Sequence, residues 1–287
     1  MDDMLVDTIM EEMITTSNNV FSSELSQKAV ELLQSGEVQL VIGYEEGTKR
    51  PRPCFISDGN EASRLIFDDR CTGNLAVYLT HKELIGGKKI AIMASYFALR
   101  SILRLLTENQ IQPDKLVVLT ISSEKELIQF ATTDDIAAYL KAAPVPPRED
   151  DKALIERLNA MTREERWAFW TDELSKCFKC YACRAACPMC YCSKCIVEDN
   201  RPQWIQPWAS TLANMEWHIN RAMHMTGRCA DCGACGAACP LGLPIHLLSH
   251  QIVQEVTDNF DMDVNQAVSG GNALSTYKPE DKESFIR

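Results

Sequence analysis

Apolar and polar positions along the first half of the chain predict strands and helices in turn. Two apolar runs of strand length, Lys89–Ala94 and Lys115–Ile121, enclose Tyr96–Asn109, where leucine and isoleucine recur at helical spacing. Strand, helix and strand at this spacing form a βαβ unit, whose strands lie parallel with a right-handed crossover. Further strands are predicted at Val38–Gly43 and Pro53–Ser57, and helices at Ser23–Ser35, Asn74–Leu84 and Thr133–Lys141. The pattern indicates an α/β N-terminal domain with a short parallel βαβ core.

The second half of the chain has a helical period instead. A Pro-rich, charged stretch, APVPPREDDK at residues 143–152, separates the halves and predicts a domain boundary. Beyond it, helices are predicted at Ala153–Leu158, Arg163–Leu174, Trp208–Met225 and Pro244–Val256. The polar residues after about Met262 are typical of an extended tail. We therefore expect an α/β docking or cofactor domain at 1–145, a mainly α-helical domain at 146–260 and a C-terminal tail at 261–287.

Composition and charge narrow the class of protein. The net charge of −11 over 287 residues argues against nucleic-acid binding, because phosphate contacts need a basic surface. The sequence contains no run of about 18 apolar residues that would predict a transmembrane segment. Its first twenty residues are acidic and lack the basic start and apolar run of a signal peptide. We therefore expect a cytoplasmic protein, with its thirteen cysteines serving mainly as thiolate ligands and not as disulfides.

Two cysteine runs carry the strongest chemical signal. CFKCYACRAACP at 177–188 and CADCGACGAACP at 229–240 both follow C-x2-C-x2-C-x3-C-P, the ligand run of bacterial two-cluster ferredoxins. In those ferredoxins the fourth cysteine of each run binds the cluster of the other run. One 4Fe–4S cluster is then predicted at Cys177, Cys180, Cys183 and Cys239, and the other at Cys229, Cys232, Cys235 and Cys187. Two zinc sites are the disfavoured alternative, because zinc usually pairs C-x2-C units at longer separation.

A third cysteine group follows the first run immediately. Cys190, Cys192 and Cys195 have the spacing C-x-C-x2-C and need a fourth ligand, for which Cys71 is a better candidate than Cys54. A third cluster at these four residues would bridge the two domains; a zinc ion and three free cysteines are the alternatives. Cys54, within an apolar strand, is interpreted as a small buried hydrophobe. No metal role is expected for His218, His224, His246 or His250, because the clusters already have full sets of thiolates.

These segments resemble a known family. FDDRCTGNLAVYL and CYACRAACPMCYCSKCIVEDNRPQWI resemble iron–sulfur proteins related to the beta subunits of deazaflavin-coenzyme-reducing hydrogenase and formate dehydrogenase. The context of the two runs is similar to the α-helical dicluster ferredoxin domain of the heterodisulfide reductase C subunit. The resemblance implies a subunit of a large anaerobic complex, with a flavoprotein core of heterodisulfide-reductase type, a hydrogenase, a formate dehydrogenase or a tungsten oxidoreductase as partners. This chain departs from the family at Ser95, Tyr96, Ser122 and Ser123, where relatives tend to carry cysteines and an aspartate.

The sequence therefore predicts an electron-transfer subunit that relays electrons through two 4Fe–4S clusters, with a third at Cys71 and the C-x-C-x2-C group, and that has no substrate of its own. The alternative is an oxidoreductase subunit with a flavin or deazaflavin hydride site in the N-terminal domain. The family's beta subunits bind FAD, but this sequence shows no residue pattern for flavin binding and no G-x-G-x-x-G after a strand. A third hypothesis, an iron–sulfur redox sensor, would need an effector surface, which the sequence does not indicate.

Overall fold

A five-stranded mixed sheet organises the first half of the protein. The computed structural model describes residues 23–195, 197 and 200–260. The strands are β1 Leu40–Glu45, β2 Arg52–Ile56, β3 Ile90–Met93, β4 Leu116–Ile121 and β5 Leu127–Phe130, in the spatial order β2-β1-β3-β4-β5. The three central strands run parallel, and β2 and β5 pair antiparallel at the two edges. The parallel β3–β4 pair with its connecting helix confirms the predicted βαβ unit.

Helices cover both faces of this sheet, which explains the continuous apolar runs of its central strands. Helix α1, residues 23–34, packs Leu25, Ala29 and Leu32 on one face. Helices α3 (Tyr96–Thr107) and α4 (Thr133–Ala142) cover the other face, together with the short α2 (Lys82–Ile85) and a 3-10 helix at Leu75–Thr80. Alternate strand residues divide between the faces: Val41 faces α1, whereas Ile42 faces α3.

Helices make up most of the second half. They are α5 Glu149–Ala160, α6 Arg163–Ser175, α7 Ala182–Ala185, α8 Thr211–His224, α9 Ala234–Ala237 and α10 His246–Phe260. Thr162 and Glu165 form a capping box that begins α6, and the Ser210 side chain caps α8 by accepting from the Ala213 amide. None of the helices in the described ranges combines the length and apolar character needed to cross a bilayer.

Two elements of the first half differ from the sequence prediction. The segment predicted as one helix at Asn74–Leu84 is a 3-10 helix followed by the separate turn of α2, because His81 between them is extended. Strand β5 was not predicted, since LIQF is short and only partly buried. The predicted boundary stretch 143–152 is helical from Glu149 onward. The domain limits stay a prediction, and the predicted tail at 261–287 lies outside the described residues.

The two halves share a core and a set of polar contacts. Met189 and Met225, from the cysteine-rich half, are buried in the same apolar cluster as the sheet residues that face α3. The Arg228 guanidinium donates through Nε and a terminal nitrogen to the two carboxylate oxygens of Glu108, both at 3.0 Å. Arg104 of α3, almost fully buried, donates to the Gly227 carbonyl. The cysteine-rich half is therefore docked firmly on the α3 face of the sheet.

Candidate metal centre

The two ferredoxin-like runs fold into the same local structure. The backbone amides of Lys179 and Asp231, each two residues after the first cysteine of its run, donate to the sulfurs of Cys177 and Cys229, both at 3.3 Å. Lys179 and Asp231 both have left-handed backbone conformations, with φ of 58° and 55°. Such conformations cost a non-glycine residue on the order of 1 kcal/mol or more and cluster at functional sites. The same strained turn thus wraps the first sulfur of each run.

A second repeated feature follows each turn. Tyr181 and Gly233 have φ of 58° and 72°, and the single-turn helices α7 and α9 begin directly after them. The third cysteines of the runs, Cys183 and Cys235, are buried in these two helices, which contact each other. In the second run only glycine fits at Gly236, because a Cβ there would lie 2.0 Å from Nδ1 of His246.

The fourth cysteine of the first run lies with the three leading cysteines of the second. Burial raises the pKa of Cys229, Cys232 and Cys235, to about 11 for Cys232, and the nearby charge of Cys187 adds to each of these increases. The pKa of Cys177 is raised by burial first and then by Cys180 and Cys239. The structure thus places Cys187 near the three leading cysteines of the second run and Cys239 near Cys177, as the spacing predicts. Their role as ligands stays a prediction.

Arg221 of α8 is a buried cation placed among these sulfurs. It is 5% exposed, its guanidinium donates to the Cys183 carbonyl at 3.2 Å, and it is within hydrogen-bonding reach of the Cys190 and Cys235 sulfurs. Burial disfavours its charged form, yet the surrounding cysteine sulfurs raise its pKa above the ordinary value. No ion pair with a carboxylate is found for it within the described ranges, and its Nε–H is buried without an acceptor there.

This environment fits an anionic metal–thiolate centre. A buried guanidinium is costly unless anions surround it, and protonated thiols do not supply that charge. Thiolates that bind a metal do supply it, and inorganic sulfide in a cluster accepts hydrogen bonds such as that of the orphaned Nε–H. Within the described residues, no group of three or more His, Cys, Asp or Glu converges on a single metal ion.

Two asparagines that were not predicted from the sequence support the runs. Asn214 of α8 is fully buried and donates to the carbonyls of Leu174 and Cys177, at 3.0 and 2.7 Å. Asn74, from the α/β half, hydrogen-bonds the Cys232 sulfur and opposes the larger effect of burial on the pKa of this thiol. In the sequence, Asn214 is marked only as a polar residue on the buried face of α8, and this pattern alone does not indicate a role at the site.

Among the cysteines predicted for a third cluster, Cys71 is buried in an apolar cluster against which Cys190 packs. Cys71 is buried, its sulfur accepts from the Asp68 amide at 3.5 Å, and burial raises its pKa to about 12. Asp68, Arg70 and Glu46 have smaller effects on this pKa. Cys190 forms a hydrogen bond with Cys187. This bond lowers the pKa of Cys187 and raises that of Cys190. Cys54 is buried in β2, as expected for a small hydrophobe.

Comparison with known proteins gives a distant relationship. No protein-family model matches the chain. Over 90 residues the chain is 30% identical to the F420-dependent formate dehydrogenase subunit beta of Methanocaldococcus jannaschii, a match that covers 31% of this chain and 23% of that protein. The chain thus spans less than a quarter of the relative's length. The similarity supports a relationship to a subunit of a redox enzyme and agrees with the resemblance seen in the sequence.

Proposed function

We propose that this chain is an electron-transfer subunit that holds two 4Fe–4S clusters and works inside a multi-subunit oxidoreductase. One cluster is held by Cys177, Cys180, Cys183 and Cys239, and the other by Cys229, Cys232, Cys235 and Cys187. When bound, each cluster supplies a one-electron carrier. Its partners are other redox subunits, such as a flavoprotein of heterodisulfide-reductase type, a hydrogenase or a formate dehydrogenase.

The observation that carries this proposal is the position of Cys187. This thiol comes from the first run, yet it is close enough to all three leading cysteines of the second run for its charge to contribute to their raised pKa values, after the larger effect of burial. Independent zinc knuckles would give no reason for such an exchange, whereas it is the ligation pattern of two-cluster ferredoxins. The relationship to a formate dehydrogenase subunit supports the same function.

The face around the first run is suited to electron exchange with a partner. Cys180 is exposed, and so are Phe178, next to Cys177, and Leu241, two residues after Cys239, at 55% and 48%. The second run is more enclosed, since burial strongly affects Cys229, Cys232 and Cys235. In the proposed relay, the cluster of the first run therefore exchanges electrons with the partner. The cluster of the second run lies deeper in the protein and exchanges electrons with the cluster of the first run.

Iron and acid-labile sulfide per chain, measured on anaerobically purified protein, test this function. The proposal requires at least about eight irons and as many sulfides. Cys229→Ala should lower the iron content by about four, while Cys54→Ala, a buried cysteine in the sheet, should leave it unchanged. Fewer than eight irons in the wild-type chain, or equal losses in both variants, would contradict the proposal.

A large cavity favours a second candidate function, a flavin or deazaflavin oxidoreductase subunit. It has a volume of about 1310 Å³, lies between the α/β half and the first run, and is lined by Cys180, Cys187, Cys190 and Cys192. Its charged lining residues are four cations, Lys82, Lys88, Lys115 and Arg184, and one carboxylate, Glu83; this positive excess suits a cofactor with phosphate groups. Its size is sufficient for a dinucleotide. One flavin per chain, released by denaturation and lost in Lys88→Glu, would establish this function; a flavin-free chain with two clusters would exclude flavin chemistry in it.

A further inference from the structure

A second, smaller cavity contains all three cysteines of the C-x-C-x2-C group. Its volume is about 440 Å³, and Cys190, Cys192 and Cys195 line it together. The last turns of α8 and the residues after them form the opposite wall, which includes Arg221, His224 and Arg228. The cavity therefore gathers a sulfur ligand set that neither ferredoxin-like run uses.

The wall of this cavity suits an anionic occupant. Arg184, Arg221 and Arg228 line it, and no carboxylate is among its described lining residues. Arg221 also reaches the Cys190 sulfur, and Arg184 donates to the Cys192 carbonyl at 3.4 Å. A thiolate-bound iron–sulfur cluster carries net negative charge, which these guanidiniums would balance.

We infer that Cys190, Cys192, Cys195 and His224 form a third metal site, which holds an iron–sulfur cluster with His224 as its fourth ligand. His224 lies at the end of α8 and is the only histidine that lines this cavity in the part of the chain described. Imidazole ligates iron–sulfur clusters in Rieske centres. The site deepens the proposed electron-transfer function and rests on it.

Two of the three methionines that line the cavity are committed elsewhere. The Met225 sulfur lies 3.9 Å from the Cys187 sulfur and belongs to the surroundings of the second run. Met189 is 1% exposed in the core shared with the sheet. Cys71, the fourth ligand expected from the sequence, does not line the cavity. His224 is exposed, so its ring is free of the core packing that holds the two methionines.

The α/β half holds this cysteine segment in place. Tyr191, between Cys190 and Cys192, donates its hydroxyl to Glu108 at the end of α3. Arg228, paired with the same carboxylate, lies 5.1 Å from the centre of the Tyr191 ring and donates to the Met189 carbonyl at 3.4 Å. The backbone is therefore anchored on both sides of Cys190, which fixes the position of this ligand.

A cluster fits this site better than a zinc ion. Tetrahedral zinc needs four donors that converge on one point at about 2.0–2.3 Å. The described residues contain no such convergence. A cavity of about 440 Å³ with three cysteines on its wall leaves room for iron and sulfide between the ligands.

Metal analysis with matched variants tests the site. The wild-type chain should contain about twelve irons and no zinc, and Cys192→Ala should lose about four irons. His224→Ala should lose one to four irons, His224→Cys should restore them, and Asn220→Ala, one turn earlier on α8, should keep all twelve. Eight irons in the wild type, with or without one zinc, or an unchanged His224→Ala, would overturn the inference.

A spectroscopic measurement on the unmodified chain covers the case in which a variant does not fold. Pulsed electron paramagnetic resonance of the reduced protein should show strong nitrogen coupling from a histidine ligand to one cluster, and none in His224→Cys. Absence of this coupling in a wild-type chain with twelve irons would overturn the inference while leaving the electron-transfer function intact. Fewer than eight irons would overturn both.

Discussion

Replacing Arg221 with glutamine should make the bound clusters harder to reduce. Arg221 is the buried cation among the sulfurs of Cys235, Cys187, Cys190 and Cys183, with its strongest interaction at Cys235. Reduction adds negative charge to a cluster, and a nearby positive charge stabilises the product. Removing that charge should therefore lower both potentials, and it should lower that of the second-run cluster more.

The size of this effect follows from the contact geometry. Two unit charges 4 Å apart interact by about 4 kcal/mol at an effective dielectric constant of about 20. The added electron spreads over the cluster instead of residing on the sulfur that Arg221 contacts, so we take about half of this value, ~2 kcal/mol. Since 59 mV corresponds to a tenfold change for a one-electron couple, the expected decrease is on the order of 90 mV.

Redox titration followed by electron paramagnetic resonance measures this decrease. Arg221→Lys keeps the charge and should shift the potentials much less than Arg221→Gln. Arg157→Gln, at an exposed arginine on α5, serves as the surface control. If Arg221→Gln kept its full iron content and both potentials moved by less than about 20 mV, or moved upward, the role given to this charge would be refuted.

Three further changes test other parts of the structure. Cys239→Ala should remove the cluster of the first run, and loss of the second-run signal alone would show that the fourth cysteines are not exchanged. Glu108→Gln leaves Arg228, which is 18% exposed, without its ion pair and should lower the free energy of unfolding by about 1–3 kcal/mol. The control Glu31→Gln, in an exposed pair with Lys28, should have little effect. Equal effects of the two variants would contradict the docking role of Glu108. Burial lowers the pKa of His218 from 6.5 to about 4. As the pH falls below 6.5, the unfolded chain therefore binds a proton at this residue before the folded chain does. The free energy of unfolding should be greatest above pH 6.5 and should decrease as the pH falls towards 4. His218→Phe should remove about 2 kcal/mol of the stability difference between pH 7 and pH 5, measured by denaturant unfolding under anaerobic conditions, and an unchanged pH dependence would be the contrary result.

The elements with repeating local patterns could be predicted from the sequence. Strands β3 and β4 are covered on both faces, so each appears as a continuous apolar run, and α3 between them has a regular apolar stripe. The edge strand β5 has only partly buried positions, and its pattern is too weak to indicate a strand. The extended His81, which divides the segment predicted as one helix, has no comparable local signal.

Of the candidate site, the sequence predicted the two cysteine runs but not the residues from elsewhere in the chain that surround them. The spacing of the two runs indicates which cysteines belong together, because a run of that kind has a known ligation pattern. The buried charge of Arg221 and the support from Asn74 depend on contacts between segments far apart in the chain. The cavity shared by Cys192 and His224 joins residues 32 positions apart, and no periodicity records such a contact. The number and type of clusters and the identities of all ligands stay predictions.

The proposed exchange of the fourth cysteines has a consequence for how the protein is made. With Cys187 among the cysteines of the second run and Cys239 near Cys177, the set of the second run is complete only once Cys235 has left the ribosome, and that of the first run only once Cys239 has. Cofactor insertion must then follow translation of nearly the whole described chain, and a nascent chain that stops after the first run offers only an incomplete set of ligands. In the proposed arrangement, the substrate of the assembly machinery is therefore a chain that has been translated past both runs, with its eight run cysteines still unligated.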